Sequence, residues 1–173
     1  MTSLPSSQSR AFTLIELLIA VSVIMISLSV GVANYLRFLD KQRLHQAGSQ
    51  IEIMLKEARN RAQNGYLGNE EIGYCTQLAG AQVTFTTDGE GKAVVNGSLS
   101  CADGSTLTYD SYTVEQTEAA FDQQFQILFY PSRGAALSMG GAPSSSAAAT
   151  LSYRDSVVTF NLDQGGTINV IYE

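Results

Sequence analysis

A long apolar segment near the amino terminus dominates the hydropathy pattern of this chain. Residues 11 to 36 are predominantly apolar, and Glu16 is the only charged residue among them. A segment of this length crosses the ~30 Å hydrocarbon core of a bilayer as a single helix. Because an ionised carboxylate at the centre of such a helix costs roughly 2.5 to 3.5 kcal/mol or more, Glu16 is a candidate functional residue that needs a partner.

The chain that follows has the periodicity of an amphipathic helix. No proline occurs between Pro5 and Pro131, so one continuous helix is allowed from Phe12 onward, and Asn64-Gly65 is a stop signal. One face of this helix is apolar at spacings of three and four residues, which predicts a face packed into a core. The positions are Leu44, Ala47, Ile51, Met54, Leu55, Ala58 and Ala62.

Beyond Gly65 the pattern changes to short β segments separated by Gly, Asn and Asp. Hairpin turns are predicted at 88–91 and 163–166, and the low-complexity segment 138–150 is predicted to be a flexible surface loop. A long helix followed by antiparallel strands is an α+β fold. The eight predicted strands are Ile72–Thr76, Gln82–Thr87, Lys92–Asn96, Thr106–Tyr112, Gln124–Tyr130, Thr150–Arg154, Ser156–Asn161 and Thr167–Tyr172.

The start of the apolar segment reads Ala11-Phe12-Thr13-Leu14-Ile15-Glu16. It resembles the processing site of type IV pilins and their pseudopilin relatives. In that family a dedicated peptidase cuts before the Phe, the new amino terminus is methylated, and the Glu is the fifth residue of the mature chain. The resemblance implies a processing site at Ala11 and Phe12, although the family usually has Gly where this chain has Ala11. A secretory signal peptide is the alternative, but it has a shorter apolar region followed by a small-residue cleavage site.

The resemblance also implies a partner for Glu16. In pilin filaments this carboxylate is thought to pair with the amino-terminal charge of a neighbouring subunit, which here is the amine of Phe12. A paired buried charge is tolerated, whereas an unpaired one costs several kcal/mol. The alternative is that Glu16 lies at the cytoplasmic edge of the membrane and stays hydrated.

The implied organisation is a leader peptide, a helical stem and a β-rich head. These comprise residues 1–11, 12–64 and 65–173, with a transmembrane half of the stem at 12–36. The positive-inside rule taken alone would place the head in the cytoplasm, because Arg37, Lys41 and Arg43 follow the apolar segment. The processing motif implies the opposite: a subunit in the inner membrane with an exported head, which later enters a periplasmic or cell-surface filament.

Two cysteines, Cys75 and Cys101, lie in the predicted head. In a head exported to an oxidising compartment they are expected to form a disulfide. Two free buried thiols remain the alternative.

Two further features resemble the minor pseudopilins of the FimT/GspH type. One is the end of the stem, residues 55–62, and the other is the segment Tyr130-Pro-Ser-Arg-Gly134 with the closing strand. The partners implied are the prepilin peptidase, other pilin or pseudopilin subunits, and the membrane through the amino-terminal helix. Minor subunits are favoured; the alternatives are a major pilus subunit or a membrane-anchored binding module at a filament tip, such as an adhesin or DNA-uptake receptor.

Charge and residue content argue against other classes of function. From Glu70 to the end there are twelve acidic and three basic residues, whereas binding to nucleic acid needs clustered Lys and Arg.

The single histidine, His45, lies on the stem, so neither a hydrolase triad nor a metal cluster is predicted, and no cofactor is expected. Asp88-Gly89 and Asp103-Gly104 could ligate calcium, but turn chemistry explains them better. An enzyme tethered by an ordinary anchor is the remaining alternative, and it predicts an uncut leader.

Overall fold

A computed structural model describes residues 13–115, 119–132, 134–139 and 142–173. The predicted leader and the processing site at Ala11 and Phe12 therefore lie outside the described residues, as does Arg133. The chain divides into two compact units, one ending at Leu39 and the other comprising Asp40–Glu173. The second unit thus begins inside the long helix.

One helix, α1, runs from Leu14 to Gln63 without interruption. It ends where the sequence places a stop signal. The Gly65 amide donates to the Ala62 carbonyl and the Tyr66 amide to the Arg61 carbonyl, at 3.2 and 3.0 Å. Gly65 has a positive φ of 64°, so this is a Schellman cap, in which glycine adopts the left-handed conformation at little cost.

Twelve strands are described after α1, and all of their pairings are antiparallel. A two-stranded sheet pairs β1 with β2, a four-stranded sheet has the order β12-β11-β10-β6, and a six-stranded sheet has the order β5-β4-β3-β7-β8-β9. The strands are β1 (Gly68–Asn69), β2 (Gly73–Tyr74), β3 (Leu78–Thr87), β4 (Ala93–Cys101), β5 (Thr106–Thr113), β6 (Ala120–Phe121), β7 (Phe125–Phe129), β8 (Ala135–Met139), β9 (Ala142–Ser144), β10 (Ser146–Tyr153), β11 (Ser156–Asp163) and β12 (Ile168–Tyr172). The α+β class predicted from the sequence is confirmed.

The core of the second unit lies between α1 and the two larger sheets. All seven positions of the predicted apolar helical face are buried, with at most 2 % of their surface exposed, and they belong to one cluster with the buried strand residues. Within it, the Phe85 ring packs against three other phenylalanines from the two larger sheets, Phe121, Phe125 and Phe160, with ring centroids 5.1 to 6.1 Å away. The helical face predicted to be core packing is therefore confirmed.

Every predicted strand overlaps an observed one, and both predicted hairpin turns are present. Asp88 accepts the Glu90 and Lys92 amides at 2.9 and 2.8 Å, which closes the β3–β4 turn. In the β11–β12 turn the Gly166 amide donates to the carbonyl of Asp163 at 2.9 Å. Strands β1, β6, β8 and β9, of two to five residues, were not predicted, since so short a segment carries little periodicity.

The prediction of a flexible surface loop at 138–150 is wrong. Strand β8 continues to Met139, and β9 and β10 occupy Ala142–Ser144 and Ser146–Tyr153. Small side chains obscured the alternation, because Ala147 and Ala149 face the core while Ala148 faces solvent. In the first half of β10 both inward positions are alanines, so the alternation with a period of two is present in the structure but nearly invisible in the hydropathy of the sequence.

Candidate functional site

The first turn of α1 contains Glu16, the residue singled out by the sequence. The Glu16 amide donates to the hydroxyl oxygen of Thr13 at 3.3 Å, and the Leu17 amide donates to the Thr13 carbonyl at 3.2 Å. Thr13 is thus the N-cap, and Thr13 to Glu16 has the Thr-x-x-Glu pattern of a capping box. This cap was not predicted from the sequence, although the four-residue Thr-x-x-Glu pattern is its signal.

The Glu16 side chain is exposed on the helix. None of the ion pairs found among the described residues includes Glu16, so no described residue neutralises the charge of its carboxylate. A carboxylate in the first turn does interact favourably with the helix dipole, by about 0.3 to 1 kcal/mol. This leaves Glu16 available to a charge from outside the described part of the chain.

The remainder of the first unit presents an almost continuous apolar surface. The large apolar side chains between residues 14 and 38 whose exposure is described have 41 to 78 % of their surface accessible. A soluble monomer rarely leaves so large an apolar patch uncovered, so this surface indicates lipid or protein partners. They are Leu14, Ile15, Leu17, Leu18, Ile19, Val21, Val23, Ile24, Met25, Ile26, Leu28, Val32, Tyr35, Leu36 and Phe38.

The serines of this segment satisfy their hydroxyl groups within the helix. Ser22, Ser27 and Ser29 each donate to the carbonyl four residues earlier, at 2.8 to 2.9 Å. An unsatisfied hydroxyl is costly in a hydrocarbon environment, where water cannot replace the missing partner. These internal bonds make the polar residues of the segment compatible with a membrane.

By length and composition α1 qualifies as a membrane-spanning helix. Its most apolar 18-residue window has a mean hydropathy of 2.4, and none of that window is buried within the protein. A core helix of a soluble protein would be mostly buried. The apolar segment is therefore consistent with membrane anchoring.

The structure joins Cys75 and Cys101 in a disulfide, with the two Cα atoms 5.4 Å apart. The Cys75 amide also donates to the Leu67 carbonyl at 2.7 Å, which fixes the β1–β2 segment. The bridge ties this segment to the end of β4. Of the two alternatives open in the sequence, the structure contains the disulfide.

The carboxylates considered for calcium are engaged in turns. Asp103 accepts both the amide and the hydroxyl of Ser105, at 2.9 and 2.6 Å, and these hydrogen bonds lower the pKa of its carboxyl group. His45 lies on α1 with its ring stacked on that of Tyr172, the centroids 4.1 Å apart. Among the described residues no three His, Cys, Asp or Glu side chains are grouped to hold a metal ion.

Comparison with known protein families gives a match at the amino terminus. Residues 6–32 match the family described as the prokaryotic N-terminal methylation motif. The match supports a type IV pilin-like or pseudopilin-like structural subunit, and it points away from an enzyme. It further implies processing by prepilin peptidase and assembly with other pilins. Searches of curated proteins and of solved structures found no match.

Proposed function

We propose that this chain is a minor pilin or pseudopilin of a type IV pilus or a type II secretion pseudopilus. In this proposal prepilin peptidase removes residues 1–11, and the transmembrane half of the stem, 12–36, holds the subunit in the inner membrane with residues 65–173 exported. The observation that carries the proposal is the exposed apolar surface of α1 between residues 14 and 38, most of which lies within the matched motif at residues 6–32. Such a surface suits lipid before assembly and neighbouring helices afterwards.

Assembly in this proposal depends on a charge pair between Glu16 and the amine of Phe12 in an adjacent subunit. Two observations support it: the carboxylate is exposed in the first helical turn, and no described residue of the same chain neutralises it. Entry into the apolar interior of a filament desolvates both charges, so each is stabilised only if the other is present. The pair would thereby select the axial register of one helix against the next.

Replacement of the carboxylate tests this pair. We expect Glu16→Gln to reduce incorporation into filaments by at least about tenfold, since a buried charge left unpaired costs several kcal/mol. Incorporation is measured by immunoblotting of sheared filaments relative to the membrane fraction. Glu52→Gln, on the same helix but in the second unit, is the matched control and should assemble normally. Normal assembly of Glu16→Gln would refute the charge pair.

Quantitative mass spectrometry of sheared filaments, including the amino-terminal peptide, separates the remaining possibilities. A trace amount of a chain that starts at methylated Phe12 supports a minor subunit, of the FimT/GspH type in our proposal. An abundant chain with the same terminus identifies a major pilin. An intact leader refutes the pilin assignment and leaves a plain membrane anchor, as expected for a tethered enzyme.

A further inference from the structure

The segment between the end of α1 and the disulfide forms a small unit on the surface of the head. Residues 65–74 contain β1 and β2, which make a sheet of their own, separate from the two larger sheets. Gly65 begins the segment in the left-handed conformation, with a φ of 64°, and the Cys75–Cys101 bridge follows its last residue. We call residues 65–74 the strap, because the chain is fixed at both ends and belongs to neither large sheet between them.

The strap lies against the outer edge of the six-stranded sheet. A Cβ on Gly73 would lie 3.6 Å from the Cδ2 atom of Leu107, a residue of the edge strand β5. Two large side chains of the strap, Leu67 and Tyr74, leave 42 and 66 % of their surface exposed. Little apolar burial therefore holds the strap on the sheet, and a segment held in this way opens at a lower free-energy cost than the core.

Arg61, in the last turn of α1, joins the strap to the sheet. Its guanidinium carbon lies 4.6 Å from the ring centroid of Tyr66 in the strap and 4.2 Å from that of Tyr109 in β5. Glu57 accepts hydrogen bonds from the Arg61 Nε and Nη2 atoms, at 2.9 and 2.6 Å, and so orients the guanidinium group. One cation thus attracts an aromatic ring from each side of the contact.

The hydroxyl group of Tyr109 opposes this closed arrangement. It is buried and has no hydrogen-bond partner among the described residues. A β-bulge places it there, since Gly97 pairs with Asp110 and Ser98 with Thr108, which leaves Tyr109 as the extra residue. A Cβ on Gly97 would lie 2.9 Å from the hydroxyl oxygen, so the ring lies over the backbone of β4. An unsatisfied buried hydroxyl costs free energy that is regained when water reaches it.

We propose that the strap is a hinged cover of β5, which opens between Gly65 and the disulfide and is held closed by Arg61. In the open state the Tyr66 ring leaves the guanidinium group and water reaches the hydroxyl of Tyr109. A surface cavity of about 280 Å³, lined by Tyr66 and by residues around the end of α1, leaves space for the ring to move. The disulfide keeps the strap attached, so opening is local and exposes the edge of the six-stranded sheet.

Hydrogen exchange of the full chain in detergent micelles tests the cover. The Cys75 amide donates to the Leu67 carbonyl at 2.7 Å in the closed strap, so its exchange reports opening. Mass spectrometry follows the peptide that contains this amide, and a β4 peptide is the internal reference. We expect Arg61→Gln to accelerate exchange at Cys75 by at least about fivefold, because both cation–π contacts are lost. Lys56→Gln, which breaks the exposed pair with Glu52 on the same helix, is the matched control and should leave the exchange unchanged.

Tyr109→Phe should have the opposite effect and slow the exchange at Cys75 by at least about fivefold. The substitution keeps the ring for Arg61 and removes the hydroxyl that is unsatisfied only in the closed state. Tyr74→Phe, which removes the hydroxyl of an exposed ring in the strap, is the matched control and should leave the exchange unchanged.

The β4 peptide separates opening of the strap from loss of the fold. Tyr66→Leu removes the ring on the side of the strap and should accelerate exchange at Cys75 while β4 stays protected, so the test remains decisive if Arg61→Gln does not fold. Exchange in Tyr109→Phe that is unchanged or faster would overturn the inference. Changes in β4 as large as those at Cys75 would do the same, because they would show that these side chains only stabilise the head as a whole.

Discussion

At position 80, the close approach of two strands restricts the residue to glycine. It is buried near the start of β3, where the pairing with β4 is irregular between Leu78 and Gly80. A Cβ at this position would collide with the carbonyl oxygen of Phe129 in β7 and lie 2.9 Å from the Leu128 Cδ1 atom. Because a backbone atom of a central strand cannot retreat as a flexible side chain can, only glycine fits here.

Gly80→Ala is therefore expected to destabilise the head by about 1 to 3 kcal/mol, as overpacking does in a core. The full chain in detergent micelles is unfolded by guanidinium chloride and followed by the near-ultraviolet circular dichroism of its tyrosines. Gly89→Ala is the matched control, since a Cβ there meets nothing within 4 Å. Equal midpoints for the two variants would contradict the close approach of β3 and β7.

At the scale of the element, the second half of α1 is defined by which of its faces is covered. Ile51 and Leu55 are completely buried, whereas Ile53 lies between them in sequence and is 53 % exposed. The exposed side carries i,i+4 ion pairs, Lys56 with Glu52 and Arg61 with Glu57, at 2.5 and 2.6 Å. Such pairs add only a few tenths of a kcal/mol, so burial of the apolar face must provide most of the stability of this segment.

Truncation of a side chain to alanine should affect the stability very differently on the two faces of this helical segment. Leu55→Ala should cost about 2 to 5 kcal/mol, because it removes buried methyl groups and leaves a cavity. Ile53→Ala should change the stability by no more than about 0.5 kcal/mol. Both are measured from the unfolding midpoint of the full chain in micelles. Similar losses for the two variants would contradict the orientation of α1.

Strand β10 supplies the corresponding test for a sheet. Ala149→Glu places a carboxylate in the core and should cost about 3 to 5 kcal/mol, the penalty of an uncompensated buried charge. Ala148→Glu places the same group in solvent and should be tolerated within about 0.5 kcal/mol. Thermal unfolding of the two variants distinguishes β10 from a loop, because a loop would accept both substitutions equally.

At the scale of the whole molecule, charge is distributed unevenly along the chain. Residues 37–61 contain six basic and three acidic residues, whereas residues 70–173 contain three basic and twelve acidic ones. Two of the basic groups in the acidic part are already paired, Lys92 with Glu90 and Arg154 with Asp40, each at 2.6 Å. An acidic surface of this kind repels the phosphates of DNA.

We accordingly expect no retardation of duplex DNA by the full chain in nanodiscs, even at about 50 mM salt, where phosphate contacts are strongest. Electrophoretic mobility is the measurement, with empty nanodiscs as the control. A shift that disappears as salt is raised would instead support a DNA-uptake receptor.

Local patterns in the sequence determined the long helix, its end at Gly65, its buried face and the two hairpin turns. These features depend on periodicity and on the backbone preferences of a few neighbouring residues, so they can be read without knowing the rest of the fold. The amino-terminal motif belongs to the same group, since its residues are contiguous. The cap at Thr13 is an equally local pattern. It was not predicted because Glu16 was interpreted as the partner of an amino-terminal charge in another subunit.

Only the tertiary structure decided which strands pair and which small residues become core. Ala147 and Ala149 of β10 have too little hydropathy to reveal an inward face, and they are buried because the fold places them in the core cluster with residues of α1 and both larger sheets. His45 and Tyr172 stack although 127 positions apart in sequence, and Gly80 is constrained by a strand almost fifty residues away. Contacts of this kind depend on long-range pairing, and the sequence near each residue carries no signal of its distant partner.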